Sequence, residues 1–391
     1  MSVPKWVQLY KNKSLSGDAG TETFPLKRTD QILEMLLKVR SKNGATRNSA
    51  DAAAQQTVES SLTKLQVNSG SAIFKNYTAE MCRKVATYRD GKTPAALITQ
   101  KEGGTWDGND DPLLGWQEYV MPINFNIPQD PTGNRTGVIM PAPLYDSLDI
   151  VLDYNFAVSA TAGFVTGGAS HVFDLYALVM PKEEKSIMES KRILVETKKH
   201  DYTTVAGGDE PFKLTLDNNR FLRQLYIQAF EAGVGEGVDV TDLTLKVDND
   251  TQWASKWGDL QAKNARDVRL DTLIQKWYLE ASSADDEIWT RVPAAKPMVS
   301  PSSQVTTVPK VTTVGDKVTV TANAASDNAM LNVYSDVIPA VAVIDLDRDG
   351  SLLNMQYAGV KDLELILTQG AAGDGASVQI LEQHIAKPWG Y

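Results

Sequence analysis

Ser71–Ala86 reads SAIFKNYTAEMCRKVA, and a similar stretch, LTLKVDNDTQWASKW, follows at Leu243–Trp257. Each combines a strand-like segment, a polar Asn-x-Thr turn and the start of a helix. The helix N-caps would be Thr78 and Thr251, which lie 173 residues apart. The repeat predicts two copies of one β-domain, and it favours an architectural role over a catalytic one.

The length and composition are typical of a globular protein with two domains. The chain has 391 residues, of which 42% are hydrophobic and 23% are charged, and a chain of this size divides into domains of about 150 to 200 residues. Cys82 is the single cysteine, so no disulfide can form within one chain. We find no signal peptide and no run of about 18 apolar residues, so we expect synthesis in a reducing cytoplasm.

Charge is distributed unevenly along the chain. The whole sequence has a formal net charge of −10, but residues 1–50 carry nine Lys or Arg side chains against four Asp or Glu. A basic arm on an acidic body suits contact with an anionic surface such as lipid headgroups or nucleic acid, whereas the scattered spacing favours a solvated tail. The candidate contact residues in this arm are Lys5, Lys11, Lys13, Lys27 and Arg28.

The first half of the chain changes its hydrophobic period near residue 66. Residues 1–29 suggest an extended arm, and a helix is predicted from Asp30 to about Gly44, with a second, more polar helix over 48–65. Beyond this point apolar residues alternate with polar ones, which predicts β-strands. The predicted strands of the first half are 68–75, 117–127, 147–158, 171–180 and 191–205.

The second half restarts after the Gly207–Pro211 break, where we place a domain boundary. Apolar residues at helical spacing run from Trp253 through Trp257 to Trp277 and predict a helical region, with short strands before and after it. The predicted strands are 212–216, 221–230, 240–247, 311–321, 330–333, 340–344, 363–368 and 378–383. The predicted division is an N-terminal arm with helices (1–65), a first domain (66–206) and a second domain (207–391).

Many strands, few helices and long turn-rich connections predict a mainly β protein. Each half is expected to be a β-sandwich, with short helices inserted between the strands. The absence of regular alternation between strands and helices argues against a parallel α/β fold.

No constellation of catalytic residues is found in the sequence. His171, His200 and His384 have no metal-ligand spacing, and their positions in or near strands favour local hydrogen bonding. Cys82 lies in a predicted helix and is interpreted as a small buried side chain. The string Gly91-Lys92-Thr93 lacks the earlier glycine of a phosphate loop. We therefore predict that the protein is not an enzyme and needs no cofactor.

One acidic string resembles a calcium loop. Asp345, Asp347 and Asp349 alternate and are followed by Gly350, but the twelfth position is Gln356 where a bidentate Glu is wanted. Because the flanking segments are predicted strands and not helices, an acidic turn is favoured. These three aspartates remain a weak metal candidate.

Several phrases resemble those of double jelly-roll major capsid proteins from tailless icosahedral viruses of bacteria and archaea that enclose an internal membrane. They are the repeated stretch, GVIMPAPLYDSL at Gly137–Leu148 and NRFLRQLYI at Asn219–Ile227. The resemblance covers about residues 66–391 and is one of domain organisation and of the character of these short sequence segments.

The resemblance implies two consecutive eight-stranded jelly-roll sandwiches, and homotrimers of pseudo-hexagonal outline that tile a shell over the membrane. The basic N-terminal arm would lie at the base and contact lipid. We predict that residues 1–50 can be removed without unfolding the body but with loss of assembly or membrane association. Partners would be neighbouring trimers, minor capsid proteins and vertex proteins, with no direct sequence-specific binding of nucleic acid. The location would be the virion, after synthesis in the host cytoplasm.

Two other classes of function stay open. The first is a virion spike or a carbohydrate-binding sandwich that uses exposed tryptophans such as Trp106, Trp116 or Trp389. The second is an enzyme on a jelly-roll scaffold, which the absence of clustered His and Glu ligands disfavours. Loss of glycan binding in Trp106→Ala would support the first class, whereas assembly into shells would support the capsid class.

Overall fold

The structure is a computed structural model. It describes residues 4–42, 57–101, 116–128, 131, 137–157, 164–180, 192–216, 220–231, 237–280, 287–291, 298–302, 310–314, 317–321, 328–347, 360–371 and 373–387.

The first half contains nine strands and two helices among the described residues. The strands are β1 (Lys5–Ser14), β2 (Ala19–Pro25), β3 (Gln31–Lys42), β4 (Lys64–Ser69), β5 (Ala72–Tyr77), β6 (Ala96–Lys101), β7 (Trp116–Asn124), β8 (Asp149–Asn155) and β9 (His171–Met180), and the helices are α1 (Val58–Ser61) and α2 (Ala79–Asp90). Eight of the nine strands form two facing sets, β1-β9-β3-β7 and β2-β8-β4-β5. Met35, Leu37, Ile150 and Leu152 fill the core between these sets.

The second half repeats this arrangement. Its elements are β10 (Ile193–Thr203), β11 (Asp209–Lys213), β12 (Arg220–Phe230), β13 (Val240–Val247), β14 (Asp250–Lys256), α3 (Trp257–Val268), β15 (Leu273–Glu280), β16 (Glu287–Arg291), β17 (Met298–Ser302), β18 (Lys310–Val314), β19 (Lys317–Thr321), β20 (Asn328–Tyr334), β21 (Val341–Asp345), β22 (Leu363–Gln369) and β23 (Ser377–Ala386). The facing sets are β10-β23-β12-β21 and β11-β22-β13-β14. Their strand order is that of the first half, so the predicted fold class of two eight-stranded sandwiches with inserted helices is confirmed.

The two sandwiches lie side by side and share sheets. β5 of the first runs parallel to β10 of the second, and this pairing joins β2-β8-β4-β5 to β10-β23-β12-β21. A second parallel pairing, β6 with β15, extends the first sandwich with β15, β20 and β17. The remaining strands form a small sheet in the order β16-β19-β18.

The helix predicted from Asp30 is wrong, because β3 occupies Gln31–Lys42. Leu33, Met35, Leu37 and Val39 are buried and the residues between them are half-buried, which is the two-residue period of a strand. Ile32, Leu33 and Leu36 also satisfy a helical spacing, and this overlap misled the prediction. The second predicted helix shrinks to α1, and residues 43–56 lie outside the described ranges.

The N-terminal residues are not a separate arm. β1 and β3 pair with β9, and β2 pairs with β8, so all three strands belong to the first sandwich. Removal of residues 1–50 would therefore take away three of its eight strands, so we expect it to unfold the first sandwich, contrary to the prediction from the sequence. Because β10 opens the second set of sheets, we propose a domain division between β9 and β10 in place of 65/66 and 206/207.

The repeated stretch is real, but its register differs from the predicted one. In both copies a hairpin leads into a 12-residue helix: β4 and β5 into α2, and β13 and β14 into α3. Thr78 is the N-cap of α2, as predicted, and its hydroxyl accepts a hydrogen bond from Met81 N at 3.1 Å. Thr251 lies inside β14, however, and Lys256 is the N-cap of α3. The helices start 178 residues apart.

Helix α3 covers the free edge of a sheet. β21 is the last strand of its sheet, and the Asn264 amide both donates to Val343 O and accepts from Val343 N, each at 2.8 Å. Gln261 adds hydrogen bonds to Ile338 O and Val341 O. These side chains take the place of a neighbouring strand, which protects an otherwise open edge.

The C-termini of α2 and α3 meet at Gly91. This residue has φ of +68°, and a Cβ there would lie 2.4 Å from Val268 O. We expect Gly91→Ala to lower the free energy of unfolding by about 2–4 kcal/mol, because left-handed backbone strain adds to a clash with backbone. Gly70 is the control, since it has φ of +57° and open space around its Cβ position. Urea unfolding that gave equal losses for Gly70→Ala and Gly91→Ala would contradict this contact.

Candidate functional site

A buried ion pair joins the two sandwiches where β5 meets β10. Lys75 and Glu196 are register partners in this parallel pairing, and Lys75 Nζ lies 2.9 Å from Glu196 Oε2 with side-chain exposures of 0% and 2%. Burial lowers the pKa of Lys75, and the neighbouring Glu196 carboxylate opposes that shift. The ammonium also lies 5.1 Å from the centre of the Phe125 ring, a distance typical of a cation–π contact.

The ion pair continues into a network of hydrogen bonds inside the second sandwich. Gln383 Nε2 donates to Glu196 Oε1 at 2.7 Å, and Gln383 Oε1 accepts from Arg223 at 2.6 Å. Arg223 also donates to Gln224 Oε1 at 2.9 Å, and Gln224 Nε2 donates to Asp345 Oδ2 at 2.8 Å. Buried polar groups are costly unless they are paired, and this network pairs them across the seam.

Tyr88 closes the network from the first sandwich. Its hydroxyl donates to Asp345 Oδ2 at 3.1 Å, and its ring packs edge-to-face on Tyr226 at a centroid distance of 5.8 Å. Burial raises the pKa of both tyrosines. The seam is therefore held by side chains of α2, β5, β10, β12, β21 and β23.

A cavity of about 530 Å³ lies along this seam. It is lined by α2, α3 and five strands, and most of its polar lining residues belong to the network. The lining residues are Val85, Tyr88, Arg89, Asn124, Asn126, Pro128, Leu194, Glu196, Arg223, Gln224, Tyr226, Lys263, Arg266, Asp267, Val268, Asp345 and Gln383. Ligand sites occur preferentially at domain interfaces, although most are lined mainly by apolar side chains.

The weak metal candidates take part in this network. Asp347 Oδ2 lies 3.1 Å from Arg223 Nε with both side chains 5% exposed, and Asp345 accepts from Gln224, Tyr88 and the backbone N of Asp347. Asp349 lies outside the described residues. Within the described ranges, no three His, Cys, Asp or Glu side chains group as metal ligands would.

The basic residues of the predicted arm are exposed and lie towards two different ends of the first sandwich. Lys5 pairs with Val179 and Gln31 with Met180, so Lys5 shares an end with the β2–β3 loop. That loop carries Lys27 and Arg28, whereas Lys11 and Lys13 lie further along β1. Eight residues of strand separate Lys5 from Lys13, which is roughly 26 Å. The five residues therefore do not form one patch.

The three histidines have local partners. His171 is buried, stacks on Phe156 and contacts the Ser41 hydroxyl at 2.7 Å and Asp18 Oδ1 at 3.1 Å. Burial lowers the pKa of His171, and Asp18 opposes the shift. His384 contacts Glu382 at 2.8 Å, and His200 contacts Lys213 O at 3.3 Å.

The structure describes the surroundings of Cys82 and of two of the tryptophans, Trp116 and Trp257. Cys82 is buried, contacts Pro122 O at 3.2 Å, and has its pKa raised to about 12 by burial. Trp257 is buried in the core of the second sandwich, and Trp116 lies beneath the charged groups of Arg40 and Lys42. Trp106 and Trp389 lie outside the described residues.

An acidic pair at the loop end of the second sandwich predicts a pH dependence. Asp239 is 4% exposed, and burial together with Glu231 raises its pKa from 3.8 to about 6. The folded chain therefore holds this proton to a higher pH than the unfolded chain, so the stability it contributes is lost as pH rises from about 4 to about 6. We expect Asp239→Asn to gain stability relative to the unmodified chain at pH 7 but not at pH 4. Urea midpoints at both pH values measure this, and a gain that is the same at both would contradict it.

None of the helices in the described part of the chain is long and apolar enough to span a bilayer. No protein-family model matches the sequence, and no curated protein matches it.

Solved structures match the fold over nearly the whole chain. The STIV MCP has a TM-score of 0.62 at 10% identity, and the match covers 99% of this chain and 98% of that chain. The atomic structure of Sulfolobus Turreted Icosahedral Virus gives 0.57 at 11% identity, covering 99% and 91%. The major capsid protein P2 from Bacteriophage PM2 gives 0.52 at 8% identity, covering 98% of each chain. The chain therefore has the double jelly-roll fold that these capsid proteins share.

Proposed function

We propose that this chain is a major capsid protein whose homotrimers tile an icosahedral shell. The observation that carries the proposal is the repeated strand order of two side-by-side sandwiches, which matches capsid proteins over the full length of both chains. A structural role also agrees with the absence, in the described ranges, of a group of metal ligands.

The duplication suits a trimer for a geometric reason. Closure around a threefold axis uses one heterologous interface three times. Three copies of two similar sandwiches present six similar outer faces, which gives a pseudo-hexagonal outline and lets one subunit tile a surface. Neighbouring trimers, minor capsid proteins and vertex proteins would then be the partners, and the virion would be the location.

The membrane side of the proposal rests on fewer residues than the sequence suggested. Lys5, Lys27 and Arg28 are exposed towards one end of the first sandwich, and cationic side chains near an anionic leaflet contribute about 1 kcal/mol each. We propose this end as the one that faces an internal membrane, with Lys11 and Lys13 excluded from that contact.

The proposal is tested by light scattering and negative-stain imaging of the purified chain. We expect a compact trimer of hexagonal outline that assembles into closed shells when concentrated. A monomer that binds glycans, or an elongated trimer that never forms lateral contacts, would contradict it and favour the spike or carbohydrate-binding class.

A further inference from the structure

The capsid proposal assigns no role to the cavity along the seam. Tyr88 and Arg89 line it from the first sandwich, and Glu196, Arg223 and Lys263 line it from the second. Its volume of about 530 Å³ falls within the range of about 300–1,000 Å³ for small-molecule sites.

The carboxylates of the cavity already have donors within the protein. Glu196 is held by Lys75 and Gln383, and Asp345 by Tyr88, Gln224 and the backbone N of Asp347. Asp267 receives Lys263 on one oxygen at 2.5 Å and Arg266 on the other at 3.1 Å. These acidic groups therefore have little remaining capacity to bind a cation.

The cationic side chains of the cavity have more N–H donors than their contacts with the protein use. Arg89 Nη2 donates to Asn126 Oδ1 at 2.8 Å. Its Nε lies 3.7 Å from Asp90 Oδ1, which is an ion pair beyond hydrogen-bond distance, so Nε is buried without a hydrogen-bond partner among the described residues. Lys263 has three N–H groups and Arg266 has five, and each makes a short contact with Asp267. An unpartnered buried donor such as Arg89 Nε is costly, whereas the side chains of Lys263 and Arg266 are 24% and 77% exposed. A ligand with several acceptor oxygens would satisfy Arg89 Nε and add charge-assisted hydrogen bonds to the other two.

The local charge also favours an anion. Four cationic side chains line the cavity against three carboxylates, and Asp90, outside the lining, lies 3.7 Å from Arg89 Nε; the whole chain carries −10. Charge-assisted hydrogen bonds from arginine to phosphate or carboxylate are roughly twice as strong as neutral ones. The C-termini of α2 and α3 oppose this with partial negative charge, and capping hydrogen bonds to Thr87 O and Ala265 O reduce that effect.

We propose that the seam cavity binds a small molecule through a phosphate group, whose oxygens accept from Arg89 Nε, Lys263 Nζ and Arg266. Arg89 belongs to the first sandwich and the other two to the second, so the bound phosphate would also tie the sandwiches together. The cavity is larger than one phosphate ion, so the ligand carries a further polar body that contacts Asn124 and Asn126.

The test is thermal unfolding of the full chain in rising inorganic phosphate or glycerol 3-phosphate, with chloride holding the ionic strength constant. We expect a saturable rise in Tm, and an apparent Kd at least tenfold weaker in both Arg89→Gln and Lys263→Gln. Lys84→Gln removes the same charge from α2 outside the cavity and should bind as the unmodified chain does. No rise in Tm, or an equal rise in Arg89→Gln, would overturn the proposal.

A second measurement separates the two sources of the phosphate group. Phosphatidylglycerol vesicles are sedimented with the protein, with and without free glycerol 3-phosphate. Binding that needs Arg89 and is competed by glycerol 3-phosphate assigns the site to a lipid headgroup. Phosphate protection without Arg89-dependent sedimentation assigns it to a soluble phosphate compound. Trimer formation is measured separately, so failure of this site leaves the capsid proposal intact.

Discussion

Glu196→Gln is expected to lower the free energy of unfolding by about 3–5 kcal/mol, because it leaves the Lys75 ammonium buried without its anion. Lys75→Met should cost a similar amount, since it strands the carboxylate instead. Both side chains are at most 2% exposed, so neither charge can reach water without opening the seam. Urea unfolding of each variant, monitored by tryptophan fluorescence, measures these losses.

The double variant tests whether Lys75 and Glu196 stabilise the fold as a pair. Replacing a buried ion pair by uncharged residues of similar size is often nearly neutral, so Lys75→Met with Glu196→Gln should lose less than either single variant. The half-buried surface pair Lys38–Glu118, at 2.7 Å with exposures of 33% and 26%, is the control, and Lys38→Met should cost at most about 1 kcal/mol. Additive losses in the double variant would contradict a paired role for Lys75 and Glu196.

Asn264→Leu is expected to cost about 2–5 kcal/mol, because it orphans both the N–H and the C=O of Val343 on the edge of β21. Each unsatisfied buried polar group costs about 1–3 kcal/mol. Leucine branches at Cγ as asparagine does but is larger, so overpacking at this buried position adds to the loss. Urea unfolding measures the loss. Size-exclusion chromatography should also show concentration-dependent aggregation, since the edge strand is then open to pairing.

Ala262→Leu is the matched control for this change. It places the same apolar side chain on the exposed face of the same helix, where substitutions usually change stability by less than about 0.5 kcal/mol. Equal losses in Asn264→Leu and Ala262→Leu would show that the helix tolerates no leucine, and would remove the edge-covering role of Asn264.

Sequence patterns predicted best the strands that bury one face. β22 alternates buried and half-buried residues along its whole length, and β8 does so up to its exposed last residue, Asn155. Both were predicted within a few residues. β1 was missed because its residues are exposed or only half-buried, so no alternation marks it. β3 was misassigned because its apolar residues fit two periods at once.

The site was beyond prediction from local patterns. Lys75 lies inside the stretch that revealed the repeat, and its place between the apolar Phe74 and Tyr77 was the signal in the sequence of a buried charge. Its partner Glu196 is 121 residues away, in a strand whose neighbour cannot be read from its own composition. Two aspartates of the calcium-like string also have partners on a different strand, β12: Asp345 accepts from Gln224, and Asp347 pairs with Arg223.

The sequence by itself determined the class of the fold, the duplication and the cap of α2, because alternation, turns and N-caps act over a few residues. Only the tertiary structure decided which strands are neighbours, where the repeat is in register, and that Lys75 and Glu196 meet. Those outcomes depend on the closure of long loops and on the burial of charge, and both follow from contacts between residues far apart in the chain.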